Sequence, residues 1–310
     1  MSETDAWFKP VFRDFAKKEI LPSTPQRRGE TAAEMTPKSS PVKLRGKTRN
    51  AKKGVNSVAP RQGLGGVQDA PDPRDHAYVP PPEILENLPP RVDLKKHFPA
   101  IYNQGQVNSC TANAIAGAME YDAIRQGVKE VFTPSRLFIY YNERVLEGTV
   151  GKDAGGQIRD GIKSIAKQGD CPEPHWPYSA KAVIQKPPGK CYSQARSFKA
   201  LEYQRIGHNL DHMRACLASG YPFVFGIKVF SSFEGDAVKK SGRLDMPRKG
   251  EKTVGLHAVV ACGYDDSSRR FIVRNSWGSG WGKRGYFTMP YDYLLDSKIS
   301  HDFWTIRVVR

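Results

Sequence analysis

The chain of 310 residues carries 48 Lys plus Arg against 32 Asp plus Glu, a formal net charge of +16, with 39% apolar residues. That length suits one large domain or two ordinary ones with ample chain for a core, which excludes a disulfide-stapled miniprotein. No run approaches 18 apolar residues, so no spanning helix is expected.

In chain order, residues 1–20 mix charges with aromatics and lack the apolar core of a secretory signal, which points to an intracellular protein. Trp7, Phe8, Val11, Phe12 and Phe15 recur at helical spacing; Thr4 or Asp5 caps this short amphipathic helix and Pro22 ends it. Residues 35–68 hold eight bases, Lys38, Lys43, Arg45, Lys47, Arg49, Lys52, Lys53 and Arg61, and no acid. Alone, such a stretch buries too little apolar surface to offset its ordering entropy. It reads as a solvated linker or as a weak nucleic-acid contact. With no aromatics for stacking, the latter would be phosphate attraction that salt abolishes. The proline-rich stretch 80–90 reads as an extended, turn-rich linker.

Beyond it the pattern predicts helices over 109–125, 134–146, 157–168 and 210–218. Strands follow over 223–230, 258–262, 270–274 and 285–289. Helices first and strands later describe an α+β chain, without internal repeats. The five cysteines, at 110, 171, 191, 216 and 262, cannot all pair within the chain, so mostly reduced thiols are the simpler reading.

Three segments carry chemistry. Cys110 opens the first predicted helix, where unsatisfied N–H groups and the dipole favour thiolate, and the Gln104 amide on the preceding Gly-containing loop can return toward the same point. A small buried apolar cysteine is the competing reading. His257 follows Gly255-Leu256 at the start of an apolar strand, where a core histidine is equally at home. Asn275 ends a strand ahead of Ser276-Trp277-Gly278-Ser279-Gly280-Trp281, either an imidazole-orienting amide under an indole or an aromatic-packed turn.

Cysteine, histidine 147 residues on and asparagine 18 further follow the chain order of the papain-like (C1-type) cysteine peptidases, which the sequence resembles from about residue 90 to the end. The resemblance implies a two-lobed fold, with a helical left lobe, an antiparallel β-barrel-like right lobe and the cleft between them. Carried over by position, Cys110 matches the nucleophile, His257 the general base and acid, Asn275 the orienting amide, Gln104 the oxyanion-hole donor and Trp277 the covering indole. Gly155 and Gly156 match the loop that pairs with an extended peptide. Gln157, Ile158 and Ala258 should lie near the pocket two residues before the scissile bond. Pro174 to Ser179 matches the turn ahead of the second lobe.

The departures are as informative. Val107-Asn108 replaces the usual Cys-Gly, Thr111 the usual Trp, and Asp153 the loop cysteine, so both ends of the family disulfide are absent together. Asn108 is expected to narrow the pocket next to the scissile bond. Ser-Cys-Thr-Ala-Asn and the long loop before the histidine are similar to bacterial and large-DNA-virus members, which allows packaging in a virion. The organisation implied is a prosegment over 1–88, docking by its helix and passing near the cleft, then a catalytic domain over 89–310, with maturation between residues 70 and 90. The chemistry implied is peptide hydrolysis by a Cys110 thiolate and His257 imidazolium through a thioester, acting on polypeptides as a monomer without cofactor, metal or membrane. A catalytically altered, nucleic-acid-associated or structural relative and an acyl-transfer enzyme are the alternatives. His208 and His212 lack the companions of a zinc site. Cys171 with Cys191 remains an open pairing.

Overall fold

The computed structural model describes residues 62–309, so the expected helix near Trp7–Phe15 and most of the basic run lie outside the described residues. The helices are α1 (Pro82–Glu86), α2 (Cys110–Arg125), α3 (Arg136–Glu147), α4 (Ile158–Gln168), α5 (Gly189–Ala195), α6 (Leu210–Ala218), α7 (Asp236–Ser241) and α8 (Tyr291–Leu295). The strands are β1 (Gly66–Val67), β2 (Arg91–Asp93), β3 (Gly156–Gln157), β4 (Lys199–Arg205), β5 (Phe223–Phe230), β6 (Thr253–Asp265), β7 (Arg270–Arg274), β8 (Tyr286–Pro290) and β9 (Ser300–Val309).

The four long predicted helices and four predicted strands all form, giving the expected α+β architecture. Helix α2 is buried almost all round because small residues, Ala112, Ala114, Ala116, Gly117 and Ala118, let neighbours approach from every side. Helix α3 starts at Ser135, whose side chain accepts the Phe138 N–H, and stops at Gly148 with φ 69°. One core cluster joins α2, α3 and α4 through Ile115, Met119, Ile139, Ile162 and Ile165. A second fills the sheet with Phe223, Phe225, Phe233, Phe271 and Phe287.

The sheet has seven strands in the order β4-β9-β5-β6-β7-β8, with β2 pairing β6. Strands β4 and β9 are not evident in the sequence. Ser300-His301-Asp302 begins β9 with residues that disfavour strands, and only pairing with β5 and β4 overrides them. The stretch read as an extended linker contains α1, started by Pro82 at its first position, where the missing N–H is harmless.

Candidate active site

Cys110 is the first residue of α2 and is wholly buried, with its sulfur facing the backbone N–H groups of Ala258, Gly65 and Thr111. His257 lies on β6. The register Val260↔Arg274 brings Asn275, just past β7, alongside it. The imidazole Nε2 lies 2.8 Å from Asn275 Oδ1, which also accepts the Ser276 N–H at 2.8 Å. An acceptor at that place selects the tautomer protonated on Nε2; Nδ1 is buried and makes no hydrogen bond. The Trp277 ring lies 4.9 Å from the imidazole, backed by Phe233 and Trp281, and shields the His–Asn bond from water.

Gln104 is fixed at both ends of its amide. Its Oε1 accepts the Ser276 hydroxyl at 2.6 Å; its Nε2 donates to Val107 O at 2.9 Å and to Gly63 O at 3.2 Å. Tyr178, read from the sequence only as part of a turn, is a positioning residue. Its hydroxyl lies 2.5 Å from Ser109 Oγ and donates to Gln104 O at 3.0 Å, tying the amide loop to the start of α2.

The family disulfide has a polar substitute. Asp153 accepts the Asn108 N–H on both oxygens at 3.1 Å, its carbonyl accepts from Asn108 Nδ2 at 3.0 Å, and it also accepts the Tyr140 hydroxyl. Thr111 donates to Glu143 Oε1 at 2.7 Å, and burial pushes that carboxyl well above the usual carboxylate range. All five cysteines are free, and Cys171 and Cys191 share one small buried cluster as thiols.

The feature the sequence did not disclose residue by residue is what lies over these groups. Residues 63–67 cross the cleft as an extended strap. Gly63 N–H donates to Gly105 O at 3.0 Å, Leu64 N–H to Asn108 Oδ1 at 3.1 Å, and Gly156 N–H to Gly65 O at 2.9 Å. Gly65 bridges to Leu256, and β1 pairs with β3 in parallel, Gly66 facing Gly156 and Val67 facing Gln157. Side chains do not fit at the crossing. A Cβ on Gly63 would strike the Val107 carbonyl, and one on Gly65 the Asn108 carbonyl. Gly155, with φ 81°, is equally close to Gly65. Of the other expected pocket residues, Ile158 is buried at the start of α4 and Ala258 beside the thiol.

Covered in this way, the reactive pair is neutral. Burial pushes the Cys110 thiol up to about 11, outweighing the three N–H groups, and lowers His257 to about 4 despite Asn275. An open hollow of about 540 Å³ lies elsewhere, lined by Pro99, Tyr102, Glu120, Phe132, Arg136 and Glu173 among others. Among the described residues no group of three or more His, Cys, Asp or Glu could hold a metal, and no helix is long and apolar enough to cross a membrane.

Residues 88–303 match the papain family cysteine proteases. The chain is 41% identical over 270 residues to a peptidase C1-like protein of Acanthamoeba polyphaga mimivirus, covering 79% of this chain and 87% of that one. It is similar in structure to xylellain, a cysteine protease from Xylella fastidiosa, at 42% identity and a TM-score of 0.77, covering 83% of this chain and all of that one. The digestive procathepsin L 3 of Tenebrio molitor shares the fold at 19% identity and a TM-score of 0.60, over 80% and 76% of the two chains. The expected likeness to bacterial and large-virus members is therefore borne out.

Proposed function

The chain belongs to the papain family of cysteine proteases, and from that premise we propose that it is an endopeptidase held inactive by its own N-terminal segment. The observation that carries this reading is the strap: Gly63 O accepts from the Gln104 amide while the Gly65 N–H faces the Cys110 sulfur. With the Gln104 amide and the thiol both engaged by its backbone, the strap stands where a substrate would bind. It also removes water, which disfavours both charged forms of the reactive pair.

Departure of the strap restores solvent and lets the proton pass from sulfur to the imidazole, whose Nδ1 is unpartnered while Asn275 holds Nε2. The thiolate then attacks a peptide carbonyl, and Gln104 Nε2 with the Cys110 N–H stabilises the oxyanion. His257 returns the proton to the leaving amine, and water hydrolyses the thioester. Residues 1–88 act as the prosegment in this reading, and cleavage between residues 70 and 90 separates them from the catalytic domain.

The test compares the full chain with Cys110→Ala in a peptide-library cleavage assay, alongside labelling by a thiol-directed epoxide before and after incubation at several pH values with N-terminal analysis. Slow labelling that accelerates on loss of the N-terminal segment supports the reading. Peptide cleavage by Cys110→Ala at the wild-type rate overturns the nucleophile assignment; full, stable activity with residues 1–88 intact overturns the prosegment.

A further inference from the structure

Past the cleft the strap ends on an aspartate held more fully than anchoring requires. Asp69 is 5% exposed; its Oδ2 accepts Trp304 Nε1–H at 2.8 Å, its Oδ1 accepts the Arg159 N–H at 3.2 Å, and its own N–H donates to Asp302 Oδ2 at 2.8 Å. The Arg205 guanidinium lies 3.7 Å from Asp69 Oδ2 and ties Asp302 at 2.6 Å and Asp75 at 3.0 Å. Except for Asp69 and Asp75, these groups belong to the body of the protein, converging from α4, β4 and β9.

Several features mark this as a built pocket. Trp304 is wholly buried. Arg159 is 5% exposed, with its Nε unpartnered. When Asp69 leaves, the Trp304 indole and the first-turn N–H of α4 lose the acceptor they now share. A buried donor left unpaired is costly, so the pocket calls for another pair of acceptor oxygens.

We propose that Trp304, the Arg159 N–H and Arg205 form a carboxylate subsite at the far end of the cleft, which takes an acidic side chain of the polypeptide substrate once Asp69 has left. The inference rests on the peptidase reading above and adds a substrate preference to it. Its position follows from register. Gly66 faces Gly156, and Asp69 lies three residues on, roughly 10 Å along an extended chain. If the residue facing Gly156 is the second before the scissile bond, the subsite receives the fifth. Arg205, partly open to solvent, supplies the charge that draws the acid in.

The experiment uses the full chain after excision of its leader, and the full chain carrying Asp69→Ala, whose own strap cannot fill the pocket. Peptides with Asp placed singly at positions three to seven before the scissile bond are compared with the Asn series. Expected is a kcat/KM at least fivefold higher for Asp at or next to the fifth position, carried by KM, weakened by salt and collapsing toward the Asn value in Arg205→Gln. Turnover of neutral peptides with no positional effect of Asp overturns the subsite and leaves the peptidase reading standing; no turnover of any peptide overturns the peptidase reading. A second measurement does not depend on turnover: sodium formate should raise the thermal midpoint of Asp69→Ala above that in equal sodium chloride, and leave wild type unmoved. Absence of that shift overturns the pocket as a carboxylate site.

Discussion

Asp153 stands where the family places a loop cysteine, and its oxygens hold Asn108 and Tyr140 instead of a sulfur bridge. Such a clasp is indifferent to redox potential, so reductant should leave the unfolding midpoint of the protein unchanged. Asp153→Ala should cost about 1 kcal/mol of stability and loosen the rim beside Gly155, measurable as a lower denaturant midpoint and a raised KM. Tyr178→Phe removes a hydroxyl that joins Ser109 to the Gln104 loop. A severalfold fall in kcat with little change in KM is expected, because in the proposed mechanism Gln104 acts on the oxyanion and not on the bound peptide. Cys110, His257, Asn275 and Gln104 are legible as candidates because each belongs to a short local motif. Tyr178 is not, since its role is a contact across 74 residues of chain.

At the scale of elements, the strap pairs with β3, and in the proposed zymogen that pairing holds the cleft closed. Its glycines are required where the chain passes within contact distance of the Val107 and Asn108 carbonyls. Gly65→Ala should therefore weaken docking by about 1–3 kcal/mol, roughly fivefold to 150-fold. The rate of epoxide labelling of Cys110 in the intact chain would report it, and a rate equal to wild type would count against an occluding strap. In the sequence, Gly63-Leu64-Gly65-Gly66 looked like the tail of a featureless basic coil. A two-residue parallel pairing leaves no periodicity, and its partner lies 90 residues away. Strands β4 and β9 were missed for a related reason: their pairing is decided by the sheet they complete, not by their own alternation.

Across the whole molecule, the hold of the proposed leader should depend on pH through Asp69, which faces Asp302, Arg159, Arg205 and Trp304, with Asp75 and His301 bordering the cluster. Burial first and the Asp302 charge second push its carboxyl up to about 6 from 3.8. A raised carboxyl binds its proton more tightly when docked than when free. Its contribution to docking is therefore complete below about 3.8 and lost as pH rises through 6. The stability of wild type relative to Asp69→Asn should grow by up to about 3 kcal/mol between pH 7.5 and 4; a difference that stays flat, or grows toward alkaline pH, would refute this. The basic charge also looks different at this scale. Of the +16, residues 1–80 contribute +6 and the rest +10, so loss of a leader leaves a basic protein. By itself the sequence determined the fold class, the family and the residues able to do chemistry, because these follow from periodicity and from motifs whose members are close in the chain. Only the tertiary structure decided that the thiol and imidazole are buried and neutral, that an Asp–Asn clasp stands in for a disulfide, and that Asp69 sits in a pocket made by α4, β4 and β9. Those depend on which distant segments share a surface, and burial and hydrogen-bond partners exist only once the chain has packed.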